Sequence, residues 1–183
     1  MAKVCVFLAE GFEEIEALTV VDLLRRDRLD VALVSVDDSD YVNGSHSVTV
    51  KADLNFSEVD FSETDMFVLP GGAPGTQHLK ENEKLCVLLQ KAAAEGKRLA
   101  AICAAPSVLG KLGLLQGKHA VCYPGYEAEL TGAIVEREEV MTDGNITTSR
   151  GMGTSIAFAL ELIKLLDCET EAGALKSKII YKQ

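Results

Sequence analysis

The stretch Lys97–Gly113, KRLAAICAAPSVLGKLG, sets a cysteine where an apolar run meets a helix pattern. Leu99 to Cys103 read as strand, and after Ala104, Ala105 and Pro106 the residues Val108, Leu109 and Leu112 recur at helical spacing. A strand that turns directly into a helix forces its corner residue into a sparsely populated backbone conformation. It also needs small neighbours, which Ala101 and Ala105 supply in the frame small-x-Cys-x-small. A thiol at such a corner faces the free N–H groups of the new helix, whose positive end favours thiolate over thiol. The chemistry expected there is nucleophilic attack by sulfur. Free cysteine is also among the most buried residue types. The other four, Cys5, Cys86, Cys122 and Cys168, read as packing, and at Cys103 the residues alone leave both roles standing.

A nucleophile needs a proton carrier and a place for developing negative charge. In Phe12–Arg26, FEEIEALTVVDLLRR, a helix turning about 100° per residue puts Glu16 between Val20 and Leu23 on an otherwise apolar face. Burial there would keep the carboxyl neutral and able to give up a proton. An edge position reaching water fits the same spacing. Glu13 and Glu14 read as first-turn partners of the helix dipole. A second candidate is Pro70-Gly71-Gly72-Ala73-Pro74-Gly75, at the carboxyl end of an apolar strand, where open α/β sheets bind ligands. The N–H groups of Gly71 and Gly72 could approach an oxyanion closely, although a plain tight turn explains the same residues. Neither G-K-[ST] nor G-x-G-x-x-G follows, so the loop is no nucleotide cradle.

The elements that must position these residues read as alternating strands and helices. Val4–Ala9 and Val31–Val36 are buried parallel strands flanking the Phe12–Arg26 helix, a right-handed βαβ unit. Ser45–Lys51 alternates polar and apolar residues after Asn43-Gly44, a hairpin exposed on one face. Asp65–Leu69 is a further buried strand, and Asn82–Gly96 a helix capped by Asn82 and stopped by Gly96. Ala120–Tyr123 and Ile146–Ser149 read as short strands around a turn at Asp143-Gly144-Asn145. Ser149–Thr154 then opens an amphipathic helix to Leu166, and a last helix covers about Glu171–Tyr181.

The 183 residues fit one domain spanning 1–183, with 48% hydrophobic residues and no low-complexity linker. A net charge of −10 without a basic cluster argues against nucleic acid and for a small neutral or carbonyl substrate. Five cysteines with no C-x-x-C pair suggest neither a zinc ribbon nor a disulfide framework, hence a reducing, cytoplasmic setting. His46, His78 and His119 show no paired ligand spacing, so neither a metal nor another cofactor is expected. The N-terminal apolar segment of six residues runs into carboxylates, which is neither a signal peptide nor a membrane span.

Four segments, AEGFEEIEA, VLPGG, AAICAAP and TSRGMGTS, stand in an order and spacing that resemble the ThiJ/PfpI superfamily, in particular its parkinsonism-associated, DJ-one-like branch. The likeness covers nearly the whole chain. It implies a flavodoxin-like α/β three-layer sandwich, mostly parallel sheet with helices on both faces and similar to class I glutamine amidotransferases, usually assembled as a homodimer. It also implies an acid from the first helix, Glu16, hydrogen-bonded to Cys103. Gly71, Gly72 and the Ala104 amide would surround the thiolate, and Gly151 and Gly153 would lie near the subunit interface. The implied activity is a cofactor-independent glyoxalase or deglycase acting on 2-oxoaldehydes such as methylglyoxal. The same two residues serve an alternative, a redox-sensing or protective chaperone whose Cys103 is oxidised to sulfinate.

One position departs from the branch, which commonly has His before Pro in the strand after the elbow, where this chain has Tyr123-Pro124. A phenol titrates far above an imidazole, so Tyr123 is expected to orient a substrate and to shuttle protons poorly. His46, on the hairpin, occupies a place where relatives present a basic residue toward the partner subunit's site, and is a second expected substrate contact. Related peptidases carry His directly after the elbow cysteine, where Ala104 stands. Amidotransferases need a downstream His-x-Glu, whereas His119 is followed by Ala-Val. Both activities are set aside.

Overall fold

The computed structural model describes residues 1–182. Strand β1 (Lys3–Leu8) leads through helix α1 (Glu14–Arg26) to β2 (Asp30–Ser35). A hairpin of β3 (Tyr41–Asn43) and β4 (Thr49–Lys51) follows, then short β5 (Leu54–Asn55) and β6 (Met66–Leu69). Helices α2 (Gly75–Glu81) and α3 (Glu83–Ala94) precede β7 (Arg98–Ile102) and α4 (Pro106–Lys111). The last third holds β8 (His119–Ala120), β9 (Ile134–Val135), β10 (Val140–Asp143), β11 (Ile146–Ser149), α5 (Ser155–Leu166) and α6 (Glu169–Lys178).

Seven strands form one sheet in the order β10-β11-β7-β6-β1-β2-β5, parallel except for the antiparallel edge strand β10. The central strands are apolar on both sides because both faces are covered. Val4, Val6, Leu8, Met66 and Val68 point to one face and meet Val20 and Leu24 of α1 and Phe158 and Leu162 of α5. Cys5, Phe7, Phe67 and Leu69 point to the other and meet Leu79, Leu85, Leu89, Val108 and Leu109 of α2, α3 and α4. The result is the flavodoxin-like three-layer sandwich. None of the described helices is long and apolar enough to cross a membrane.

Asn82 caps α3 as expected, its side chain accepting from the Leu85 N–H at 3.0 Å, and Gly96 follows the helix with φ +76°. Helix α2 has no counterpart in the sequence reading, since Gly, Pro and Asn at its ends look like punctuation of one loop. Gly75 opens it because a Cβ there would lie 2.7 Å from the Gly11 carbonyl carbon. The expected strand Ala120–Tyr123 is corrected. Only His119–Ala120 pairs, with Ile134–Val135 and outside the main sheet, while Cys122 and Tyr123 belong to a loop. The Val121 N–H goes instead to the Thr148 hydroxyl at 2.9 Å, which ties this loop to β11 beside the corner. Strands β5, β9 and β10 are not foreseen by the sequence, being short and without a fully buried residue.

Candidate active site

Strand β7 ends at Ile102 and α4 begins at Pro106, so Cys103 occupies the corner, with φ +65°. A cysteine in this left-handed region costs on the order of 1 kcal/mol, and it persists where surrounding contacts fix the backbone. Here the Cys103 N–H donates to the Ser149 carbonyl (3.0 Å) and its carbonyl accepts from the Tyr123 N–H (2.8 Å). The strain aims a half-buried sulfur out of the sheet's carboxyl end.

Glu16 reaches the same point from the first turns of α1. It is 1% exposed, and its Oε2 accepts from the Gly71 N–H at 2.8 Å. Its Oε1 is buried and has no hydrogen-bond partner of ordinary geometry. The backbone of Gly71 passes between sulfur and carboxyl. A Cβ on it would stand 2.6 Å from the Cys103 Cβ and 2.7 Å from Glu16 Oε2, so only glycine lets the two groups meet. Gly72 has φ +101°, and a Cβ there would lie 2.4 Å from the Glu13 nitrogen. The expected role of Gly71 as an oxyanion donor is corrected, because its N–H is committed to Glu16. The N–H groups of Ala104 and Gly72 are the ones that stabilise charge on the sulfur.

Burial pushes Glu16 up to about 7, against the Gly71 N–H and the Cys103 thiol, with the Glu13 charge adding to the rise. Burial, the Glu16 charge and the hydrogen bond to Glu16 push the Cys103 thiol up to about 12, against the Ala104 and Gly72 amides. The amides expected to favour thiolate are present, and desolvation and the neighbouring carboxylate act against them. Two of those three upward causes exist only while Glu16 is ionised. Moving a proton from sulfur to Glu16 removes both, so the two groups titrate as a unit sharing a proton.

The hairpin is docked by Glu14, which the sequence reading treated as a simple dipole partner. Glu14 is 5% exposed and accepts from the His46 N–H (2.7 Å) and lies 3.0 Å from His46 Nδ1. Burial acts to raise its pKa, but the His46 imidazole and the N–H groups of His46 and Val48 hold it at about 2. Glu14 and Glu13 in turn raise the pKa of the exposed His46. Glu13, Glu14 and His46 offer three ligand atoms within 4.8 Å of one another, a grouping that chain spacing did not reveal. The hydrogen bonds just described already occupy the Glu14 oxygens, so the cluster is accounted for by hairpin anchoring.

Cys103, Glu16, Gly72, His46 and Tyr123 all line one cleft of about 710 Å³. Tyr123 is half exposed, and its ring covers Gly151, where a Cβ would lie 3.2 Å from Tyr123 Cδ2. The structure thus brings every expected site residue to one place. Sequence reasoning missed Glu14, Arg137 and Arg150. Arg150 sits inside the quoted segment TSRGMGTS, whereas Arg137 lies in a charged stretch that reads as solvated surface.

Residues 2–165 match the family model described as the DJ-1/PfpI family. The chain belongs to this family. Among curated members of the DJ-1/PfpI family, the DJ-1 homolog B protein of Arabidopsis thaliana is 39% identical over 98% of this chain, which spans only 42% of that protein's length. A protein of Pyrococcus abyssi named a deglycase is 36% identical over 90% of this chain and 99% of its own length. Among solved structures, oxidized DJ-1 of Toxoplasma gondii superposes with a TM-score of 0.95 at 37% identity, covering all of both chains.

Proposed function

We propose that this chain is a cofactor-independent deglycase- or glyoxalase-type enzyme acting on 2-oxoaldehydes, with Cys103 as nucleophile and Glu16 as proton carrier. The observation that carries the reading is the buried Glu16 carboxyl, one oxygen held by Gly71 and the other unpartnered, beside a strained corner cysteine in a cleft. The deglycase name of the archaeal relative supports it.

In the first step the sulfur bonds to the aldehyde carbon while its proton passes to Glu16. The carbonyl π pair moves onto oxygen, which faces the Gly72 and Ala104 N–H groups and then takes the proton back as a hemithioacetal hydroxyl. Glu16, now a carboxylate, removes the remaining hydrogen of that carbon as a proton, and the C–H pair forms the double bond of an enediol as the hydroxyl proton shifts to the neighbouring carbonyl oxygen. Glu16 then returns its proton to the neighbouring carbon while the first C=O re-forms. The product is a 2-hydroxy thioester, which water cleaves to a 2-hydroxy acid and free Cys103. A carboxyl titrating near neutrality suits both directions of transfer. Tyr123 and His46 contribute contacts at the cleft wall.

Lactate formation from methylglyoxal tests the reading. The native protein should turn over, and Cys103→Ser and Glu16→Gln should not; full activity in either variant would overturn the assignment. A second reading draws on the same surroundings, since Gly72, Ala104 and a protonated Glu16 could hold the oxygens of a Cys103 sulfinate formed by peroxide. Mass spectrometry after mild peroxide separates it, because oxidation spread evenly over the five cysteines would exclude a tuned sensor. We further propose a homodimer in the cytoplasm, which the five free cysteines and the resemblance support and size-exclusion chromatography checks for assembly.

A further inference from the structure

Two guanidinium groups in the Cys103 cleft take no part in the chemistry above. Arg137 lies between β9 and β10, and Arg150 directly follows β11, ahead of Gly151. Both line the cleft with Cys103. Among the described residues neither side chain has a hydrogen bond or an ion pair, although both act at longer range on Glu127 and Arg150 also on Cys122. The acidic residues of the cleft are committed elsewhere. Glu13 lies 3.5 Å from His46 Nδ1, Glu139 binds Lys182 at 2.7 Å, and Glu16 holds the Gly71 N–H.

An arginine fork matches the oxygens of a carboxylate or phosphate and binds them through paired charge-assisted hydrogen bonds. Arg137 is exposed, whereas Arg150 is half-buried and without a partner has given up part of its hydration for nothing in the free protein. The rest of the molecule would repel anions, since the chain carries a net charge of −10. The cleft of about 710 Å³ falls within the range that encloses a drug-sized ligand, leaving room beyond a three-carbon oxoaldehyde for a charged tail.

We infer that Arg137 and Arg150 form an anion subsite of the Cys103 cleft, and that the carbonyl compound this protein acts on carries a carboxylate or phosphate. The carbonyl part rests on the function proposed above; the subsite does not.

Alkylation tests the subsite without any turnover. Iodoacetate and iodoacetamide both lose iodide as the sulfur–carbon bond forms, and they differ chiefly in charge. The ratio of their rates at Cys103, divided by the same ratio at exposed Cys168, removes the intrinsic difference between the reagents. At low ionic strength this normalised ratio should be about tenfold above one, in the range of electrostatic focusing. It should fall towards one with added salt and in Arg137→Gln/Arg150→Gln, while Arg150→Lys should retain part of it. A ratio at or below one in the native protein, or one unchanged by salt, overturns the subsite even if the double variant fails to fold.

Turnover of 4,5-dioxopentanoate, of 3-phosphooxy-2-oxopropanal and of uncharged 2-oxopentanal then identifies the tail. A higher kcat/KM for the first assigns a carboxylate, for the second a phosphate. Equal or better use of the uncharged compound refutes an anionic substrate. Failure of all three sinks the catalytic reading and leaves the alkylation result to decide the subsite.

Discussion

Replacing Glu16 by Gln keeps the shape of the buried carboxyl and its acceptor for the Gly71 N–H, and removes its ability to ionise. In the folded chain Glu16 titrates at about 7 against 4.5 for an unperturbed carboxyl. An acid whose folded pKa is the higher one binds its proton more tightly in the folded state. Stability from this group is therefore whole below about pH 4.5 and erodes as the pH rises toward the folded pKa. At about 1.4 kcal/mol per pH unit, the erosion amounts to roughly 3 kcal/mol at pH 8. Glu16→Gln escapes it. Urea denaturation of both proteins at intervals from pH 4.5 to 8 should give curves that converge at the acid end and separate by that amount at the alkaline end, the variant being the more stable. Titrating groups not coupled to Glu16 cancel in the difference, and repeating the series in a Cys103→Ser background removes the coupled thiol. A gap independent of pH, or a variant less stable at pH 8 than at pH 5 relative to the native chain, would refute the idea that Glu16 keeps its proton because it is buried. The same variant should lose turnover while its Cys103 becomes easier to ionise, since two causes of the raised thiol pKa disappear with the charge.

Gly71→Ala puts a methyl group 2.6 Å from the Cys103 Cβ and 2.7 Å from Glu16 Oε2, and should cost about 1–3 kcal/mol in thermal or urea melts and abolish turnover. Glu14, held at about 2, should stabilise the fold at neutral pH and lose that contribution as the pH falls through about 2. With allowance for its partner His46 being solvent-exposed, Glu14→Gln should cost roughly 1–2 kcal/mol at pH 7 and little at pH 2.5, read from urea melts, with faster amide exchange in the hairpin. Cys168, exposed and remote from the cleft, should tolerate Ser with turnover unchanged; a loss of activity there would place part of the chemistry elsewhere.

Some of this protein is written in runs of the chain short enough to read directly. Four buried residues of β7, Leu99 to Ile102, followed by Cys-Ala-Ala-Pro announce the corner, because a strand and a helix joined without a loop leave the joining residue no ordinary conformation. The βαβ alternation announces the layers, since strands apolar on both sides need helices on both faces. Glu16 stands on the apolar face of α1, where spacing alone fits an edge position as well as a buried one. The short strands β5, β9 and β10 announce nothing, being stabilised by neighbours rather than by their own residues. Nor could the chain say that the Gly71 N–H belongs to Glu16 and not to an oxyanion, or that Tyr123 lies in a loop. It could not say that Glu14 lies under the hairpin, or that Arg137 and Arg150 line the same cleft as the cysteine. Those facts depend on distances between segments far apart in sequence. Above all, the forces acting on the sulfur's proton depend on the fold: the local signal, a helix start, argues for thiolate, and only the packing of α1 against the corner supplies the desolvation and the neighbouring carboxyl that oppose it.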